Sequence, residues 1–239
     1  MGLNLSNQQI AGELDLNAGD VQAMTEQLRA GILAARPAEI LTGVVECDEI
    51  YVTAGHKGQP AAVAKKVAQA VGPACLSGRA DGLKGMPGRG TLEKEKPPIF
   101  GMVERGGAVV LHLLANVRQT TIKPLILASV ALGSLINTDE YAIHGRLPEW
   151  GFGHKTVHHG RGEYARDEDG DGFCEVHVNS MEGIWSLLRS WLRPHRGISQ
   201  EKLSYYLALF EFVHNARCRG KALLCTLLAA LLPTTPKPD

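Results

Sequence analysis

Val44-Val45-Glu46-Cys47-Asp48-Glu49-Ile50-Tyr51-Val52 is an apolar, β-branched run with acids set inside it. Its composition predicts a buried strand. Alternate side chains of a strand share a face, so Asp48 stands with Val44, Glu46 and Ile50, while Glu49 faces the other way. A carboxylate in a buried strand is costly unless something compensates it. For one such acid a structural pair is the ordinary answer. A second apolar run changes that reading. Leu132-Gly133-Ser134-Leu135-Ile136-Asn137-Thr138-Asp139-Glu140 follows a helical segment, and Asp139 closes it. Asp139 therefore falls at the C-terminal end of a strand reached by a crossover, where open α/β sheets place their sites. Glu49 and Glu140 are the neighbouring alternatives.

Glu182 is the third acid, in the first turn of a helix predicted over 179–192. Met181, Ile184, Trp185, Leu188 and Leu192 form its apolar stripe, and Glu182 lies at the margin, where a residue can face a cleft. A competing reading is structural: Asn179 followed by Glu182 is a capping-box pattern. Arg189, two turns on, shares the face of Glu182. Two unit charges at ~4 Å and an effective dielectric of about 20 repel by roughly 4 kcal/mol. Three converging acids ask for a divalent cation, and carboxylate oxygens suit Mg²⁺ or Mn²⁺. That chemistry is two-metal phosphoryl transfer.

The 239 residues allow one large domain plus a small appendage. Hydrophobic content of 44% and charged content of 21% are those of an ordinary globular chain. The net charge of zero gives no global argument for nucleic acid, so any basic surface must be local. Charge is in fact segregated: 57–105 and 185–221 are rich in Lys and Arg, and 1–30 is acidic. Cys47, Cys75, Cys174, Cys218 and Cys225 show no paired spacing, which suits a reducing cytoplasm. The acidic, amphipathic start does not read as a signal peptide. Ala222–Leu232 is apolar but well short of the ~20 residues that span a membrane.

Residues 1–38 read as a helical hairpin, broken at Asp15-Leu16-Asn17, with Ser6 and Gln9 as a capping box. A helix-turn-helix remnant is the alternative, although Asp20 and Glu26 suit a phosphate-facing helix poorly. Strands are predicted at 43–53, 99–105 and 108–115, with Gly106-Gly107 as a hairpin signal. A helix over 121–132, a strand at 135–139 and a strand at 155–159 follow. This α/β order matches the ribonuclease-H-like arrangement, an antiparallel three-stranded meander joined to parallel strands and flanked by helices. The glycine-rich stretch 72–90 reads as a basic loop, and 222–239 as a terminal apolar helix with a Pro-rich tail. Asp167-Glu168-Asp169-Gly170-Asp171-Gly172 imitates a calcium loop, but Val178 stands where the bidentate Glu should be, so it reads as an acidic turn. Trp185, Trp191 and Tyr205-Tyr206 follow core periodicity.

Glu46-Cys47-Asp48-Glu49, Thr138-Asp139-Glu140-Tyr141, the 153–159 block with its three histidines, His177–Trp185 and His214-Asn215-Ala216-Arg217 occur in this order. Together they resemble the transposase domain of bacterial insertion sequences of the ISXO type, related to Merlin elements, over about 43–221. The resemblance implies a ribonuclease-H-like core and a D…D…E triad carried by Asp48, Asp139 and Glu182. It also implies two Mg²⁺ or Mn²⁺ ions, and cleavage and strand transfer of DNA by a homo-oligomer assembled on it. Family members usually open with a cysteine-paired zinc ribbon, so this chain is expected to start after that module, as a truncated or inactive copy.

Candidate DNA contacts are Arg79, Lys84 and Arg89 in the glycine-rich loop, His158, and Arg189, Arg193, Arg196 and Arg217 toward the C-terminus. The alternatives are a non-catalytic DNA-binding remnant, a related metal-dependent nuclease and a purely structural protein.

Overall fold

The computed structural model describes residues 5–55, 96–139, 142–195 and 197–218. The loop at 72–90 with Arg79, Lys84 and Arg89, the alternative ligand Glu140, Arg196, the side chain of Arg217, and the expected helix within 222–239 lie outside the described residues.

A five-stranded mixed sheet occupies the centre, in the order β3-β2-β1-β4-β5. β1 (Val44–Tyr51), β2 (Pro98–Glu104) and β3 (Val109–Leu113) form an antiparallel meander. Gly106, at φ 70°, makes the β2–β3 turn, a conformation that favours glycine. β4 (Leu135–Asp139) then pairs with β1 in parallel, and β5 (Gly153–Val157) with β4 in parallel. The meander and both parallel strands stand where the sequence predicted them, to within two residues at most ends. The helix between β3 and β4, α3 (Gln119–Ser129), begins two residues early. Pro124 consequently lies inside it, beyond the first turn, and the carbonyl it cannot serve belongs to exposed Thr120.

Strand alternation divides β1 between two cores. Val45 and Cys47 face α3, among Ile122, Ile126 and Ile136. Ile50 faces the opposite side, where α4 (Asn179–Leu192) buries the predicted stripe of Met181, Ile184, Trp185, Leu188 and Leu192. A small hairpin, β6 (Ala165–Arg166) with β7 (Val176–His177), leads into α4.

α5 (Gln200–Cys218) completes the fold. It lies along the outer edge of β3 and replaces a sixth strand with side chains. The Val109 N–H donates to Asn215 Oδ1 (2.8 Å), and Asn215 Nδ2 donates to the Val109 carbonyl (2.9 Å). The Leu111 N–H donates to Glu211 Oε2 (2.7 Å), while Arg36 Nη2 donates to the Leu111 carbonyl (2.9 Å) and pairs with Glu211. An open strand edge invites pairing with another chain, and this one is closed. Burial raises the Glu211 carboxyl above its ordinary range, and Arg36 pulls it back.

The N-terminal hairpin sits on α5. α1 (Asn7–Leu14) carries the expected Ser6–Gln9 capping box, and Asp15 turns the chain at φ 52°. α2 (Ala18–Ala34) packs Leu28 and Ile32 against Ala208 and Leu209, with the Arg29 guanidinium 4.2 Å from the centre of the Tyr206 ring. This face of α2 is therefore engaged in the protein itself. No helix among the described residues is long and apolar enough to cross a membrane.

Asn215→Ala should strand both backbone groups of Val109. Each buried unpaired group costs about 1–3 kcal/mol. Thermal denaturation should show a fall of at least ~4 °C for a chain of this size, and an unchanged midpoint would mean the edge is held otherwise.

Candidate active site

The α4-facing side of β1 carries Glu46 and Asp48, and both hold the helix. Glu46 is fully buried. One of its oxygens accepts from the Met181 N–H (3.0 Å), and the other from Ser180 Oγ (3.0 Å) and Arg105 Nε (2.8 Å). The N-terminus of a helix presents unpaired N–H groups and a partial positive charge, so a carboxylate there is stabilising. His177 completes the start. Its Nδ1 accepts from the Asn179 N–H (3.3 Å) and also lies 3.2 Å from Glu46. Burial and nearby Arg105 lower the His177 pKa, and Glu46 opposes them.

This arrangement excludes the competing capping-box reading. The helix cap is Val178, with no side-chain cap bond, and Asn179 is already helical. The Glu182 N–H bonds the Val178 carbonyl (3.1 Å) and its side chain is exposed. The capping that Asn179 and Glu182 were to provide comes from Glu46 and His177, leaving Glu182 without that structural role.

Asp48 Oδ2 accepts from the Trp185 indole N–H at 2.8 Å. Trp185 reaches it because the residue opposite Asp48 on β2 is Gly101. A Cβ there would collide with the Trp185 ring and with Met181. The sequence marked Trp185 as core, which it is, but its polar edge could not be assigned a partner without the register of β1 on β2. Asp139 ends β4 on the neighbouring strand. The β1–β4 register pairs Glu46 with Asn137, and the same offset carried two residues on brings Asp48 level with Asp139. The two carboxylates share a face. Burial lifts the Asp48 carboxyl to about 6 against the pull of the Trp185 bond, and repulsion from Glu49 and Asp139 adds to the rise.

Asp48 and Asp139 are thus neighbours, and Glu182 lies one turn before the tryptophan that holds Asp48. All three donors are carboxylate oxygens, the set that hard divalent cations prefer. An ion between them would relieve the cost of ionising Asp48. The triad is nevertheless not tightly closed. Among the described residues, the acids whose ligand atoms all lie within 4.8 Å of one another are Asp167, Asp169, Asp171 and Glu175, in the β6–β7 loop. Most of these acids are engaged by the turn itself: Asp167 accepts from Gly170 and Gly172, Asp171 from Phe173, and Glu175 Oε2 from the Glu168 N–H, while Glu175 Oε1 is buried without a hydrogen-bond partner among the described residues. That is the acidic turn expected from the sequence.

The alternative ligand Glu49 points to the far face, 3.1 Å from buried His144. His154 shares that side, 2.9 Å from Thr138 Oγ1, with its pKa lowered by burial. His158 follows Val157, which is level with Asp139, so it stands at the same end of the sheet as the acids. Arg189 and Arg193 are exposed, on α4 and just beyond it.

Sequence comparison identifies the family. The ISXO2-like transposase domain family matches residues 40–215, and the chain belongs to it. A protein in transposable element ISH50 of Halobacterium salinarum is 34% identical over 237 residues, spanning 96% of this chain and 71% of that protein. Among solved structures, a chain in the simian T-cell lymphotropic virus intasome with the PP2A regulatory subunit B56 gamma aligns at TM-score 0.37 and 11% identity. The alignment covers 85% of this chain and 60% of that one, and a likeness at this level carries no inference.

Gly101→Ala should push Trp185 off Asp48. Overpacking of this kind costs about 1–3 kcal/mol, readable in the melting temperature and in the environment of the indole by fluorescence. An unshifted emission maximum would contradict the seating described.

Asp48 also makes stability depend on pH. Its folded pKa is raised from 3.8 to about 6, so its favourable contribution is complete below 3.8 and is lost as pH rises through about 6. Asp48→Asn should therefore melt above the wild type at pH 7.5, and this advantage should vanish near pH 4. A variant less stable at both values would show that Asp48 ionises without cost.

Proposed function

We propose that this protein is a DDE transposase with a ribonuclease-H-like core. In this reading it catalyses metal-dependent cleavage at the ends of a mobile element and transfers the freed strand into target DNA, as a cytoplasmic homo-oligomer assembled on DNA. One observation carries the reading: the β1–β4 register, continued two residues, brings Asp48 level with Asp139 on the sheet face that α4 covers, and Glu182 stands in the first turn of α4. Membership of the ISXO2-like transposase family supports it.

Asp48, Asp139 and Glu182 would hold two Mg²⁺ or Mn²⁺ ions. When bound, such ions lower the pKa of an attacking hydroxyl and stabilise the leaving oxygen. The rest is the work of the chain. Trp185 fixes one oxygen of Asp48. Glu46 holds the start of α4 against β1, which sets the height of Glu182 over the sheet. Glu182, exposed in the first turn of α4, would turn toward the pair to complete the set. Water breaks a phosphodiester bond at the element end, and the resulting 3′-hydroxyl attacks a phosphodiester of the target. Each step exchanges one P–O bond for another, so no covalent protein intermediate is required.

A fragment spanning the element's own ends, incubated with Mg²⁺ or Mn²⁺, should be nicked, and a precut end should be joined to plasmid DNA. Asp48→Asn, Asp139→Asn and Glu182→Gln should each reduce both products at least about a hundredfold, as loss of a group acting on the transition state does. Cleavage without joined product would make the protein a nuclease. DNA affinity that survives Asp139→Asn, with no cleavage by the wild type, would make it a binding remnant. In parallel, Mg²⁺ should raise the melting temperature of the wild type and leave that of Asp48→Asn unmoved.

A further inference from the structure

Two cavities open beside the turn after α4, the larger of them against the helical hairpin. The smaller, about 390 Å³, is walled by Tyr51 and Thr53 at the end of β1 and by Arg189 and Arg193. The larger, about 800 Å³, lies between Gln8 and Gln22 of the hairpin and Arg193, His195 and Lys202. Arg193, Gly197 and Ile198 line both. The two are therefore one trough, running from the strand end just past Asp48 toward α1. Its floor is fixed. Gly55 and Ser199 form a β-bridge, and the Gln200 N–H donates to the Gly55 carbonyl (3.1 Å). Gly197, at φ 91°, makes the turn that opens it.

The charge in the trough comes from two groups. Lys202 is paired with Glu26, and His195 packs edge-on between Trp191 and Tyr206, with centroids 5.5 Å and 4.8 Å away. Arg189 and Arg193 are exposed, four residues apart, and have no acidic partner among the described residues. Four residues of helix advance about 6 Å, so the two guanidinium groups form a short ladder on the wall nearest the acids. Guanidinium groups hold phosphate oxygens bidentately. A small anion would need only one of them and would leave the amide-lined half of the trough without a role. A linear polyanion uses both, with Gln8 beyond to hydrogen-bond its uncharged parts.

We propose that this trough is the path of the DNA backbone leaving the acids, with Arg189 and Arg193 on its phosphates and the N-terminal hairpin as its outer wall. The proposal rests on the transposase reading for the identity of the polyanion and gives the hairpin a part in holding it.

The test is fluorescence anisotropy with a labelled 30-mer duplex in EDTA, across a salt series, so that metal chemistry plays no part. Each phosphate contact contributes about 0.9 to the slope of log affinity against log salt. Arg189→Ala/Arg193→Ala should weaken binding at least tenfold at moderate salt and reduce the slope by about 2. Arg189→Lys/Arg193→Lys should restore the slope, which a merely misfolded variant would not do. Arg118→Ala, a guanidinium at the start of α3 on the other side of the sheet, should bind as the wild type does.

An unchanged slope in the double alanine variant overturns the trough, whatever the cleavage assay shows. A reduced slope with no cleavage by the wild type sustains the trough and sinks the enzyme. A wild type that binds no DNA sinks both.

Discussion

The docking of α4 on β1 is the contact from which the rest follows. Glu46 is a carboxylate removed from water, and such a group is tolerated only when every lone pair that matters is met by a donor. Here the donors are the helix N-terminus, Ser180 and Arg105, so the charge and the helix stabilise one another. Two residues along the same strand face, Asp48 takes the Trp185 indole N–H. Two acids of one strand thus fix both the height and the rotation of the helix that bears Glu182. Gly101 is the steric condition for this arrangement, because only a residue without a side chain lets the indole lie against β2.

Around that contact the fold works to keep the sheet rigid and closed. The meander supplies β1, the parallel pairing sets β4 beside it, and α5 seals the far edge with Asn215 and Glu211 in place of a strand. The hairpin of α1 and α2 is held to α5 by Leu28, Ile32 and Arg29. Through that attachment it reaches round to the turn after α4. The acids at one end of β1 and the basic trough beside it are consequently neighbours by construction, though the residues that form them are scattered along the chain.

Much of this was legible in the sequence wherever periodicity carried the information. β1 and β4 read as strands because apolar, β-branched residues dominate them. The α4 stripe emerged residue by residue because one face is buried and the other wet. α5 did not stand out. It is covered by α2 on one side and by β3 on another, and Glu211 and Asn215 are polar residues at buried positions, so the helical pattern is blurred. The competing capping-box reading of α4 fails for a different reason. Asn179 and Glu182 had the right local spacing, but a carboxylate more than 130 residues away occupies the role. Local rules could not foresee it, since it depends on how β1 registers beneath the helix. The block Glu46-Cys47-Asp48-Glu49 suggested chemistry by resemblance, and each acid has its own place: Glu46 under the helix, Asp48 beside Asp139, Glu49 on the far face with His144.

The central claim is that Asp48, Asp139 and Glu182 share divalent metal. Anomalous diffraction from crystals grown with Mn²⁺ addresses it without recourse to activity. The account predicts strong peaks between Asp48 and Asp139, with Glu182 turned inward and carboxylate oxygens near the ~2.1 Å of a hard-cation site. Peaks confined to the acidic turn at Asp167–Glu175, with Glu182 still facing solvent, would contradict it.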